Sequence, residues 1–193
     1  MSTIKLAIFL SGTGSNAKNI CSYFDEHQQV SVALLLSNNE NSGVKNIAAS
    51  YNIPYYIFSK TEFKDGTVLQ VLQEHQIDTI ILAGFLWLIP NTILDKYKVI
   101  NIHPALLPKY GGKGMHGMYV HQAVHDNKEK ESGITIHLCN EVYDDGQVLF
   151  QAKVDIAPND TPKKIAEKVL QLEHQYFPKV IDDYCFDSQT KEK

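Results

Sequence analysis

The chain has 193 residues, 44% of them hydrophobic and 21% charged, which suits one globular unit with a sizeable core and contains no apolar run near the roughly 20 residues of a membrane helix. A net charge of -4, with Lys supplying all 18 basic residues, argues against nucleic acid or an anionic membrane as partner. It also leaves any anion site to lysine point charges, backbone N–H groups or neutral donors. Three widely spaced cysteines, Cys21, Cys139 and Cys185, favour a reducing compartment. With no leader-like segment at the N-terminus, a cytoplasmic protein is expected.

Residues 4–10 form a short continuous apolar run, a buried parallel-type strand. SGTGSN follows, then a helix over about 15–26. A second buried strand spans 30–37, a turn 38–43, and a helix runs on to about Tyr51. Residues 53–58 read as a third strand, with Pro54 placing it near an edge. An amphipathic helix covers 66–76 and a fourth strand 78–85. Pro90 opens a short helix to about Tyr97, and 98–103 is the fifth strand. Strand alternating with helix implies an α/β fold: a wound, mostly parallel sheet with helices on both faces. After His103 the pattern changes. A loop rich in Pro and Gly leads to a helix over 117–127 and a charged turn, 125–132. Strands 133–140 and 147–156 are joined by EVYDDG, so the sheet becomes mixed toward the C-terminal third. A long helix from about Thr161, capped by Asp160 or Thr161, runs to about Tyr184 with a kink expected at Pro178. Residues 186–193 read as a frayed tail.

Two places carry candidate chemistry. In the glycine loop, the N–H groups of Gly14, Ser15 and Asn16 stand at a helix N-terminus, which suits a phosphate monoester. An ordinary helix cap explains the same residues. The loop matches neither GxGxxG nor GxxxxGK[ST] in full. In VINIHP, alternation puts Ile100 and Ile102 on one face and Asn101 and His103 on the other. The polar pair therefore emerges together at the carboxyl edge of the sheet. An amide N–H can donate to a developing oxyanion, and an imidazole can move a proton near neutral pH. A polar strand end satisfied by its surroundings is the plainer explanation. His116 and His121, five positions apart, lie about 140° apart on a helix, poor geometry for one metal.

SGTGSN, LAGFLWLIP, NIHPALLPKYGGKGMHG and YDDGQVLFQAKV resemble, in order and across nearly the whole chain, the folate-dependent formyltransferases. SGTGSN and KGMHG point to the branch whose acceptor is glycinamide ribonucleotide. The resemblance implies transfer of the formyl group of 10-formyltetrahydrofolate, a co-substrate, to the amine of glycinamide ribonucleotide in purine biosynthesis, without a metal. It implies Asn101, His103 and Asp144 as catalytic residues; a one-residue slip would shift the last to Asp145. A carboxylate there is expected to raise the His103 pKa. Gly14, Ser15, Asn16 and Glu173 are implied to hold glycinamide ribonucleotide. Leu86, Trp87, Leu88, Ile89, Asn101 and the segment Asn140, Glu141, Val142, Tyr143 and Asp144 are implied to bind folate. Trp87 is either a surface aromatic or a cover for the folate. His121 and His137 match recurrent histidines with supporting roles. Where relatives carry Arg near 62–66, this chain offers only Lys64. The chain reads as one formyltransferase domain over 1–193: a phosphate-binding half, about 1–100, and a folate and catalytic half, about 101–185. Its partners are small molecules, and it is a monomer or homodimer. The alternatives are another folate-dependent formyltransferase, a 10-formyltetrahydrofolate hydrolase, or a non-catalytic module binding nucleotide through SGTGSN.

Overall fold

The computed structural model describes residues 3–191, with side chains for 3–186. Seven strands form one sheet in the order β3-β2-β1-β4-β5-β6-β7. The strands are β1 (Ile4–Leu10), β2 (Val30–Ser37), β3 (Tyr55–Ile57), β4 (Thr79–Leu82), β5 (Lys98–His103), β6 (Glu131–Leu138) and β7 (Val148–Asp155). The helices are α1 (Ser15–Phe24), α2 (Val44–Tyr51), α3 (Lys60–Asp65), α4 (Thr67–Glu74), α5 (Asn91–Leu94), α6 (Met118–Asp126) and α7 (Pro162–Lys191). Strands β1 to β5 are parallel, while β6 and β7 are antiparallel additions, as the change of pattern after His103 implies.

Alternation along β1 builds the core on both faces. Leu6, Ile8 and Leu10 pack with Ala17, Ile20 and Phe24 of α1 and with Ile165, Val169 and Phe177 of α7. Ala7 and Phe9 face the other way, onto Phe63 of α3, Val68 and Leu72 of α4, and Ile93 of α5. Strand β5 obeys the same rule: Ile100 and Ile102 join the α1/α7 layer and Val99 the α3–α5 layer. Asn101 and His103 share the Val99 side. The chain returns through α6 to β6, whose antiparallel register sets Asn101 opposite His137 and His103 opposite Thr135.

The glycine loop is fixed by backbone approach. Gly14, at φ 81, is the N-cap of α1. Gly43 donates its N–H to the Gly12 carbonyl at 3.0 Å, and a Cβ at Gly43 would overlap the Thr13 carbonyl oxygen. The glycines therefore let two βα turns touch.

Several boundaries differ from the sequence reading. Helix α3 was not expected, although Ser59 and Glu62 form a capping box at its start, the pattern SKTE. The third strand shortens to 55–57, the fourth to 79–82 and the helix after Pro90 to 91–94. The charged run is only partly a turn, since Glu131 and Ser132 open β6. Thr161 caps α7 by accepting from the Lys164 N–H at 3.2 Å. That helix, with Pro178 inside it, runs past Tyr184 to Lys191. Of the expected frayed tail, residues 192–193 and the side chains from 187 onward lie outside the described residues.

Phe177 is wholly buried between α7 and the sheet. Phe177→Ala lowers unfolding stability by about 3–5 kcal/mol, read from denaturant curves. A loss below about 1 kcal/mol would contradict the docking of α7 on this core.

Candidate active site

His103 ends β5 and is 4% exposed. Its Nε2 lies 2.7 Å from the Tyr110 carbonyl oxygen. A carbonyl only accepts, so Nε2 carries the proton and, in the neutral ring, Nδ1 carries the lone pair. Nδ1 faces Asp144 Oδ2 at 3.4 Å. Two acceptors therefore confront one another, and the pair lacks one proton. The Gly112 N–H donates to the same Oδ2 at 2.8 Å. The other carboxylate oxygen lies 3.6 Å from Nε2 of His137, to which Asn101 Nδ2 comes within 3.1 Å. Asn101, His103, His137 and Asp144 thus form one contiguous polar cluster at the carboxyl edge of the sheet.

Burial is the main influence on the His103 ring and pushes its pKa below the ordinary value. Asp144 and the Tyr110 carbonyl oppose this without overcoming it, and His137 adds to the lowering. The expected upward shift from Asp144 is therefore corrected: the carboxylate does pull upward, but desolvation is larger. Burial also pushes Asp144 up, yet His137, His103 and the Gly112 N–H together outweigh it and hold the carboxyl below its ordinary value. Near neutral pH the free site holds a neutral imidazole beside a carboxylate.

The loop from 104 to 112 is tied down on both sides. Thr135 Oγ1 accepts from the Leu107 N–H at 3.0 Å and donates to the Ala105 carbonyl at 2.7 Å. Gln151 Nε2 donates to the Leu107 carbonyl and to Thr135 Oγ1. Glu129 accepts from Lys109 Nζ and from the Tyr110 hydroxyl, each at 2.9 Å. These bonds aim the Tyr110 carbonyl at His103.

The cluster opens into a cleft of about 750 Å³. Its lining includes Leu86, Trp87, Leu88, Ile89, Asn140, Val142 and Tyr143. Trp87 is half-buried, its ring 5.9–6.2 Å from those of Phe58, Phe63 and Phe85, so it is an anchored wall residue and not a free surface aromatic. The lining also includes Thr13, Asn16 and Glu173. Asn16 Nδ2 donates to Glu173 Oε2 at 2.6 Å, and Asn16 Oδ1 is buried without a partner. Burial raises the Glu173 pKa against the opposing Asn16 hydrogen bond.

Of the residues singled out from the sequence, Asn101, His103 and Asp144 come together, and Asn16 and Glu173 form a second pair. Gly14 and Ser15 sit at the head of α1, beside the cleft and not among its lining residues, and Glu141 points outward. Asp144 Oδ2 lies 3.4 Å from His103 Nδ1, whereas Asp145 Oδ2 lies 3.5 Å from Asn140 Nδ2. Sequence reasoning missed Tyr110, Gly112, Thr135, Gln151 and Glu129. The first two act through main-chain atoms, which leave no side-chain signature. His121 is buried in the cleft wall with an unpartnered Nδ1. Among the described residues no group of three or more His, Cys, Asp or Glu side chains could hold a metal ion.

An open wound sheet with a polar cluster and a cleft at the carboxyl ends of its strands is the architecture of an α/β enzyme acting on small molecules. Residues 4–181 match the family model described as formyl transferase, and the chain belongs to that family. It is 41% identical over 192 residues to the chloroplastic phosphoribosylglycinamide formyltransferase of Arabidopsis thaliana, covering 94% of this chain and 65% of that one. It is 33% identical over 185 residues to the phosphoribosylglycinamide formyltransferase of Bacillus subtilis, covering 92% of each. The structure of glycinamide ribonucleotide transformylase 1 from Geobacillus kaustophilus superposes with a TM-score of 0.84 at 33% identity, over 92% of this chain and 96% of that one. The chain spans 65% and 61% of the length of the first two plant relatives.

Burial, with His103 nearby as a smaller cause, lowers the His121 pKa to about 4. The unfolded chain protonates this ring near pH 6.5 and the folded chain does not, so its contribution to stability is lost as pH falls from about 6.5 toward 4. His121→Leu therefore loses less stability than the parent between pH 7 and pH 4.5 in denaturant titrations. Equal losses would contradict a buried neutral ring.

Proposed function

We propose that this protein transfers the formyl group of 10-formyltetrahydrofolate to the amine of glycinamide ribonucleotide, giving formylglycinamide ribonucleotide and tetrahydrofolate. The observation that carries this reading is the His103–Asp144 pair, 3.4 Å apart beside Asn101, in a cleft lined both by Leu86 to Ile89 and the 140–144 turn and by Asn16 and Glu173. The names of the relatives support it. Folate fits the part lined by Leu86 to Ile89 and the 140–144 turn. Glycinamide ribonucleotide fits the part lined by Thr13, Asn16 and Glu173, with its phosphate on the N–H groups of Gly14, Ser15 and Asn16 and its amine or ribose near Glu173.

The amine attacks the formyl carbon, and a C–N bond forms as the carbonyl electron pair moves onto oxygen. The Asn101 amide donates to that oxygen. His103 Nδ1 takes the amine proton, and Asp144 stabilises the imidazolium while the Tyr110 carbonyl keeps Nε2–H in place. Collapse breaks the bond between the formyl carbon and the folate nitrogen, which recovers the proton from His103. No proton is gained or lost overall. The neutral resting state of His103 suits this order, because a ring already protonated could not take the proton. Three unpaired cysteines fit a reducing compartment, and we take that compartment to be the cytoplasm.

The test is tetrahydrofolate release from 10-formyltetrahydrofolate with and without glycinamide ribonucleotide. Release that requires the ribonucleotide supports the transferase, whereas equal release without it identifies a hydrolase and refutes this reading. His103→Ala lowers kcat by about 10²–10⁴-fold, and near-parental turnover would remove His103 from the mechanism. Asp144→Asn lowers activity and, by removing a charge that raises His103, moves the acidic limb of kcat/KM to lower pH. An unmoved limb would show that Asp144 does not act on His103.

A further inference from the structure

His137 lies on β6 directly across from Asn101, its side chain only 2% exposed. Its Nδ1 is 2.9 Å from the Leu138 main-chain carbonyl oxygen. That oxygen can only accept, so Nδ1 carries a proton and the neutral ring has its lone pair on Nε2. Asn101 Nδ2, at 3.1 Å, has one geometry compatible with that lone pair: it donates one of its two N–H groups to it. The second N–H stays free, and the amide cannot exchange its oxygen and nitrogen ends without placing Oδ1 against another acceptor. An amide with no such partner would rotate between two end-for-end states, and in one of them its carbonyl would face the developing oxyanion.

We propose that His137 is a positioning residue that, as its Nδ1–H tautomer, locks the Asn101 amide with its nitrogen end available to the reacting oxygen. This rests on the formyl-transfer reading for its catalytic meaning, but not for the tautomer itself. The Leu138 carbonyl thus sets the orientation of Asn101 through one intervening ring, in the way that a partner on one ring nitrogen sets the role of the other. The remaining polar neighbour of His137 is Asp144, whose Oδ1 at 3.6 Å is too far for a normal hydrogen bond. Asn101, at 3.1 Å, is thus the nearer partner of Nε2, and the competing tautomer, with a proton on Nε2 facing the Asp144 carboxylate, is the one that the ring ¹⁵N spectrum tests against.

Two measurements test this. The first is the ring ¹⁵N spectrum of His137 near neutral pH, assigned by its disappearance in His137→Gln. A protonated Nδ1 with an unprotonated Nε2 is expected; an Nε2–H tautomer or a cation would overturn the proposal whatever reaction the enzyme performs. The second is kinetic. His137→Leu removes the acceptor and lowers kcat by about 10–100-fold, less than deletion of a whole oxyanion donor at its upper range, with little change in KM. His137→Gln, whose amide oxygen can accept from Asn101, recovers part of the loss. In an Asn101→Ala background, His137→Leu adds little further loss, because both act through one amide. Fully additive losses, or equal losses in the Leu and Gln variants, would overturn the positioning role and leave the formyl-transfer reading standing.

Discussion

A buried imidazole between a main-chain carbonyl and a carboxylate is the constraint on which the site depends. The Tyr110 carbonyl accepts a hydrogen bond from Nε2–H of His103, so the nitrogen left to exchange a proton is the one facing Asp144. Burial keeps that ring neutral, and the carboxylate keeps the protonated form within reach. A more exposed ring would rest closer to the protonated state and lose its readiness as a base. A buried ring without the carboxylate would gain no charge partner when the proton arrives. The balance between desolvation and attraction defines the site more closely than either effect alone.

That balance needs backbone placed accurately around one strand end. The loop after His103 doubles back so that Tyr110, in the left-handed region at φ 57, presents its carbonyl, while Gly112 presents its N–H to Asp144. Thr135 and Gln151 hold the first part of the loop from the sheet, and Glu129 holds Tyr110 and Lys109 from the α6–β6 turn. Asp144 is also in the left-handed region, at φ 56, where Asp is tolerated better than most residues. Gly146 follows, where any Cβ would overlap the Leu138 carbonyl oxygen. The turn therefore lies flat against β6, and the carboxylate reaches both His103 and His137.

What the sequence made legible follows the same physics. Alternation placed Asn101 and His103 on one side, because period 2 is a property of the strand itself. Apolar runs alternating with helical segments gave the wound sheet, and the Asp-Gly turn gave the final hairpin. The resemblance favoured Asp144 over Asp145, and the turn's conformation brings Asp144 Oδ2 to 3.4 Å from His103 Nδ1 in agreement with it. The direction of the His103 shift was misjudged because a nearby carboxylate is visible in the motif, whereas the extent of burial is a property of the assembled loop, sheet and α6. Helix α3 was missed although SKTE announced it, since a six-residue helix is too short to show a period. Tyr110, Gly112 and Leu138 contribute main-chain atoms and were invisible for that reason.

The most direct measurement of this account is the titration of the His103 ring, followed by its carbon and proton resonances in the unliganded protein. A midpoint below that of an ordinary histidine, falling further in Asp144→Asn, is the expected result. A midpoint above the ordinary value, or one indifferent to Asp144, would show that burial does not hold the ring in the neutral state on which the proposed proton transfer depends.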